Sequence, residues 1–218
     1  MKSRDLLTRG GPLLGLLLVC AVFAWLIGPQ FFRPVNLELI ARQTAIVCTA
    51  ALGMTMIIVA AGIDLSVGSI IALSTVVIAL LLKRDVSPLL AALGGVAGAA
   101  LCGLANGVLI TRLKVVPFIV TLGTMLIVRG AAKGLADERR IEAPATWLNG
   151  LLRTVEGGRG LPPGLWVLLV LALVVAGVLR YTVFGRHLFA IGSNERTARL
   201  CGVRSFDPIA KRCRPNTV

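Results

Sequence analysis

Charge is scarce in this chain: 15% of its 218 residues are Asp, Glu, Lys or Arg, against 56% in the hydrophobic set. A soluble domain of this size does not carry so little charge, which excludes an ordinary water-soluble body. Histidine occurs once, at His187, so histidine pairs for metal binding or proton relay are ruled out. Of the five cysteines, Cys20, Cys48 and Cys102 lie in apolar runs and Cys201 and Cys213 in a basic tail, with no CxxC spacing. Neither a metal site nor a disulfide framework follows from that pattern. The chain has no G-x-x-x-x-G-K-[ST], so it binds no ATP through a P-loop of its own, and no G-x-S-x-G or H-E-x-x-H, so an enzyme's catalytic cluster is missing. Nothing alternates with the period of a barrel strand.

What is present is a series of apolar runs, at residues 12–27, 39–61, 67–82, 89–110, 116–136 and 165–179. In lipid each run must satisfy its own backbone, so the fold class is all-α: a polytopic membrane protein of about six transmembrane helices. The basic start (Lys2, Arg4, Arg9) ahead of the first run resembles a secretory signal, but no A-x-A-like cleavage site follows, and a retained first helix is expected. Residues 137–164 are too polar to span. The formal net charge of +13 does not indicate nucleic acid, because the cations lie between apolar runs rather than on one soluble face. With the amino terminus in the cytoplasm, thirteen Lys and Arg fall on that side and seven on the other, while Arg42, Arg129 and Lys133 sit inside runs. The excess supports that orientation and puts residues 184–203 in the cytoplasm.

The stretch Gly53-Met-Thr-Met-Ile-Ile-Val-Ala-Ala-Gly-Ile-Asp-Leu-Ser-Val-Gly-Ser69 sets one carboxylate among apolar residues. An ionisable group at membrane depth costs roughly 2.5–3.5 kcal/mol on insertion scales, so Asp64 must face protein, water or a helix end. Gly62 and Gly68 permit a backbone break, and Asp64 and Ser66 can accept hydrogen bonds from the amides of a restarting helix. One helix is therefore expected to be broken between Gly62 and Gly68, ending near Ala61 and restarting near Asp64.

The fourth run carries Ala91, Gly95, Ala99, Gly103 and Gly107 at four-residue spacing, beside a row of Gly94, Gly98, Cys102 and Asn106. Such stripes let another backbone approach closely, so Gly95, Gly98, Gly103 and Gly107 are expected to pack helices, and Asn106 to find a partner across the interface. The fifth run carries the polar or charged residues Thr121, Thr124 and Arg129, with Arg129 and Lys133 sharing a face at its far end. After the sixth run, Ser193 or Asn194 can cap a short helix and Gly202 can end it. That helix is either a solvated basic turn or a docking element for a soluble partner.

These residues also resemble a known family. Gly53-Met-Thr55, Ala61-Gly-Ile-Asp-Leu-Ser-Val-Gly-Ser69, Ala105-Asn-Gly107, Pro117-Phe-Ile119, Thr121-Leu-Gly-Thr-Met125, Arg129-Gly130, Phe184-Gly-Arg186, Ala190-Ile-Gly192, Asn194-Glu195 and Ala198-Arg-Leu200 look like the permease subunit of ribose-type monosaccharide ABC importers. Branched-chain amino-acid ABC permeases are the next nearest family. The resemblance implies a bacterial inner-membrane subunit, not an enzyme, that pairs with a second permease copy or a homologue and receives sugar from a periplasmic binding protein. Cytoplasmic ATPase subunits would drive it, binding the ATP that this chain does not. It further implies that residues 62–69 belong to the translocation core and that residues 184–203 form an ATPase-coupling segment carrying Gly185, Arg186, Gly192, Asn194, Glu195 and Arg199. A neutral sugar needs hydroxyl and amide partners, which Ser66, Asn106, Thr121 and Thr124 can supply along the translocation path, while Asp64 either caps a helix or contacts that path. Residues 1–203 then form the amino-terminal part of the permease domain. The basic tail, 204–218, departs from the family and resembles a frameshift or truncation, so a non-transporting remnant is the alternative expectation.

Overall fold

The structure is a computed structural model that describes residues 3–151 and 162–203, the side chains of 3–9 and of Pro12 excepted; the tail at 204–218 lies outside them. Among the described residues the regular structure is helical, in the order α1 (Ser3–Ile27), a short 3-10 turn (Gly28–Phe32), α2 (Pro34–Val59), α3 (Val67–Lys83), α4 (Pro88–Leu113), α5 (Pro117–Leu135), α6 (Trp147–Gly150), α7 (Pro163–Tyr181), α8 (Val183–Ser193) and α9 (Glu195–Leu200). Five spans are long and apolar enough to cross a bilayer: Leu13–Phe32, Pro34–Val59, Pro88–Leu113, Pro117–Leu135 and Pro163–Tyr181. The 17 residues of α3 cover about 26 Å, at the short end of what a membrane core of about 30 Å needs. The chain is an all-α, multi-pass membrane protein.

Its interior is rich in small residues, with Leu82 and Val128 the larger apolar side chains buried among them, as suits packing without a hydrophobic driving force. Ala45, Ala91, Ala132 and Ala198 are buried with Gly95, while Leu13, Val47, Leu104, Ile127, Leu173 and many other large apolar side chains are exposed where lipid would cover them. Two groups of helices result: α3 packs on α4 and α5, and α2 on α7 and α8. The α3–α4 contact is closest at Gly95, where an added Cβ would run into Ile78 and where the Ser74 hydroxyl donates to the Gly95 carbonyl at 3.1 Å. Gly94 meets Leu81 in the same way. At Gly98, Gly103 and Gly107 an added Cβ would meet nothing within 4 Å, so the packing seam of α4 occupies its first half.

The expected break between α2 and α3 is present, and it covers residues 60–66, two positions earlier than the Gly62–Gly68 interval. Neither glycine supplies the reversal. Ala61 takes the left-handed conformation at φ +58°, while Gly68 lies inside α3. The Ala61 amide donates to the Ile58 carbonyl and the Gly62 amide to the Ile57 carbonyl, each at 2.9 Å, which closes α2 with the paired bonds of a Schellman end. Gly62 is needed for space instead, because a Cβ there would lie 3.0 Å from Ile57 Cγ2 and 3.2 Å from its carbonyl oxygen.

Candidate functional site

The break brings its polar residues against α4 and α5. Asp64 Oδ1 accepts from the Ser66 amide at 2.7 Å and from the Ser66 hydroxyl at 2.6 Å. This is an Asx turn leading into α3, so the carboxylate does accept an amide where the helix restarts. Ser66, expected to do the same, makes no such cap. Its hydroxyl is taken up on both sides, donating to Asp64 and accepting from Asn106 Nδ2 at 3.0 Å. Asn106 Oδ1 in turn accepts from the Thr124 hydroxyl at 2.6 Å. The donors thus run in one direction, Thr124 to Asn106 to Ser66 to Asp64, and each bond polarises the next. Thr121, on the same face of α5, donates to the Ile63 carbonyl at 3.5 Å and to its own helix at Phe118 at 3.3 Å.

All five residues expected at the translocation path therefore meet in one place, joining the start of α3, the second half of α4 and the first half of α5. Ser66, Thr121 and Asn106 are 0%, 2% and 4% exposed, so the middle of the chain of bonds is shut off from water, while Asp64 and Thr124 at its two ends are half-buried. A cavity of about 360 Å³ opens beside it, lined by Asp64, Asn106, Thr121, Gly107, Phe184 and Leu188 among others. Ser66 and Thr124 stand behind that wall and hold Asn106 in place. A larger groove, about 520 Å³, lies between α2 and α3. It is lined by Ile46, Met54, Ile70 and similar side chains, and its one hydroxyl, on Thr49, is already spent on the Ala45 carbonyl at 2.8 Å. It lacks the polar groups that orient a hydrophilic ligand; the smaller cavity has them.

The segment expected to couple to an ATPase forms α8 and α9. Thr182 caps α8 by accepting from the Gly185 amide at 3.2 Å, a role signalled only by a threonine three residues past the sixth apolar run. Gly185 is buried where α7 turns into α8, and a Cβ there would overlap the Leu179 backbone. Asn194, rather than Ser193, caps α9 by accepting from the Thr197 amide at 3.1 Å. Glu195 pairs with Arg199 at 2.6 Å across one turn. Gly202, at φ +86°, ends α9 with the Gly202 amide on the Arg199 carbonyl and the Val203 amide on the Ala198 carbonyl. Arg186, His187 and Arg196 are exposed.

Gly192 makes the connection that sequence spacing could not reveal. It seats the carboxyl-terminal half of α8 directly on the last turn of α2, where a Cβ would overlap the Val59 carbonyl and lie 3.3 Å from Ala60 Cα. From Ala60 the backbone runs into the break and reaches Asp64 four residues later. Phe184 and Leu188 of α8 line the cavity beside that carboxylate.

Fold and site together define a multi-pass membrane protein with a polar, hydrogen-bonded site at a helix interruption. The family described as branched-chain amino acid transport system / permease component matches residues 36–207, and the chain belongs to it. Members of that family are membrane subunits and not enzymes in themselves. The chain is 39% identical over 198 residues to a ribose import permease protein of Bacillus subtilis (strain 168), covering 89% of this chain and 60% of that protein. It is 34% identical to the ribose import permease protein of Escherichia coli (strain K12), covering 88% and 60%, and 35% identical to a fructose import permease protein of Rhizobium meliloti, covering 88% and 55%. The chain thus spans about three fifths of the length of these relatives. No solved structure matches it.

Proposed function

We propose that the chain serves as the transmembrane subunit of an ATP-driven monosaccharide importer in the bacterial inner membrane, with its amino terminus in the cytoplasm. Similarity to ribose and fructose import permeases supports the substrate class, and the site's chemistry fits it. A neutral sugar needs hydroxyl, amide and carboxylate partners, and Asp64, Asn106 and Thr121 offer these at the cavity wall. Successive spans alternate in direction, so the end of α2, the start of α3, the end of α4, the start of α5 and the end of α7 share one side of the bilayer. By the charge excess that side is the cytoplasm.

The observation that carries the reading is the seat of Gly192 on Val59, which places α8 in contact with the backbone leading to Asp64. An ATPase dimer pressing on α8 and α9 would move the end of α2 against α3–α5 and bias the break between two arrangements. ATP is bound by that partner, sugar is delivered by a periplasmic binding protein, and a second permease copy completes the path. A photo-crosslinker at Arg196, exposed on α9, should capture the co-expressed ATPase subunit, while one at Trp147 on the opposite side should not. Radiolabelled monosaccharide uptake in cells lacking their own permease is the second readout. No crosslink at Arg196 overturns the coupling role; a crosslink without uptake assigns the chain to the non-transporting alternative.

A further inference from the structure

At the opposite end of the bundle Arg129, Lys133 and Arg139 line one groove of about 490 Å³ with Glu138, Ala72 and Val76. Three cations face one carboxylate, and no salt bridge ties any of the three to a described residue. Two successive left-handed residues, Asp137 at φ +49° and Glu138 at φ +53°, turn the chain back at the end of α5. The Glu138 amide donates to the Lys133 carbonyl at 3.0 Å and the Arg139 amide to the Ala136 carbonyl at 2.9 Å, so Arg139 is folded back beside Lys133. Left-handed backbone costs about 1–2 kcal/mol for each such residue, so the return is a built feature.

The groove is also deep. Val76 lies seven residues before the end of α3 at Lys83, which is about 10 Å at 1.5 Å per residue. Arg129 lies six residues before the end of α5 at Leu135, about 9 Å inward by the same rise. A cation at the level of Arg129 is costly unless something anionic meets it, and Lys133 and Arg139 stand above it toward the rim. A neutral sugar gives no reason for a surplus of positive charge, and a soluble protein would meet Lys133 and Arg139 at the rim but not the Ala72 and Val76 floor of the groove. An amphiphile can: its phosphate would sit among Arg129, Lys133 and Arg139 while its acyl chain lies on Ala72 and Val76.

We infer that this groove binds the headgroup of an anionic phospholipid. Native mass spectrometry of the full chain, released from micelles holding equal phosphatidylglycerol and phosphatidylcholine, reads the preference directly. The wild type should retain phosphatidylglycerol over phosphatidylcholine, and each cation removed should cut that ratio about five-fold, the equivalent of about 1 kcal/mol per charge. Arg129→Gln with Lys133→Gln should therefore lower it about 25-fold, Arg129→Lys should keep it, and Arg112→Gln at the other end should leave it unchanged. An unchanged ratio in the double variant, or an equal fall in Arg112→Gln, overturns the inference. Displacement of the lipid by millimolar inorganic phosphate would make the ligand free phosphate and overturn it equally.

Discussion

Asn106→Leu is the perturbation that bears hardest on the polar chain. The side chain is 4% exposed, and the substitution keeps its bulk while removing both a donor to Ser66 at 3.0 Å and an acceptor for Thr124 at 2.6 Å. Ser66 retains Asp64, but the half-buried Thr124 hydroxyl loses its partner. Hydrogen bonds between membrane helices are worth about 0.6 kcal/mol on average and up to about 1.7, so losing two should cost about 1–3 kcal/mol. Unfolding in mixed micelles by graded SDS measures it. The sharper form is a double-mutant cycle with Thr124→Val, which isolates the 2.6 Å bond and should show a coupling of about 0.6–1.7 kcal/mol. Additivity of the two single variants to within about 0.3 kcal/mol would mean that the side chains do not meet, and the reasoning fails.

Other substitutions probe the joints around it. Gly192→Val should displace α8 from Val59, costing about 1–3 kcal/mol by overpacking and raising the protease sensitivity of residues 182–203, while Ser193→Ala one position on should do neither. Ala61→Gly relieves the left-handed residue at φ +58° and should stabilise the protein by about 1 kcal/mol in the SDS titration, whereas Gly62→Val should destabilise it through Ile57. Gly95→Leu should separate α3 from α4 and cost about 1–3 kcal/mol, with Gly98→Leu nearly neutral, because only the first faces Ile78 and Ser74.

Much of this was legible because lipid narrows the options. Apolar runs of the right length become helices, small-residue stripes become contacts, and a carboxylate among them demands a break. The residues at that break were legible too: Asp64, Ser66, Asn106, Thr121 and Thr124 are polar where polarity is costly. Their pairing was not, since Asn106 meets Ser66 across 40 positions and Thr124 across 18, and spacing along one helix carries no information about another. Attention to glycines also misplaced the reversal, which falls on Ala61, because a helix end closed by two backbone bonds can hold an alanine in the left-handed region. The stripe on α4 overstated the seam for a related reason: Gly95 faces α3, whereas Gly103 and Gly107 border the cavity. The Gly192 joint depends on α8 folding back onto α2, which local pattern could not show.

A cysteine scan across residues 56–70, read with a membrane-impermeant maleimide in oriented vesicles, tests the interruption itself. The structure predicts labelling at Ala61, exposed where the chain leaves the helix, and at Ile63 and Asp64, which border the cavity, with protection at Ser66 and Ser69, which are 0% and 5% exposed. A uniform profile through all fifteen positions, unreactive throughout or periodic as for one continuous rod, would contradict it.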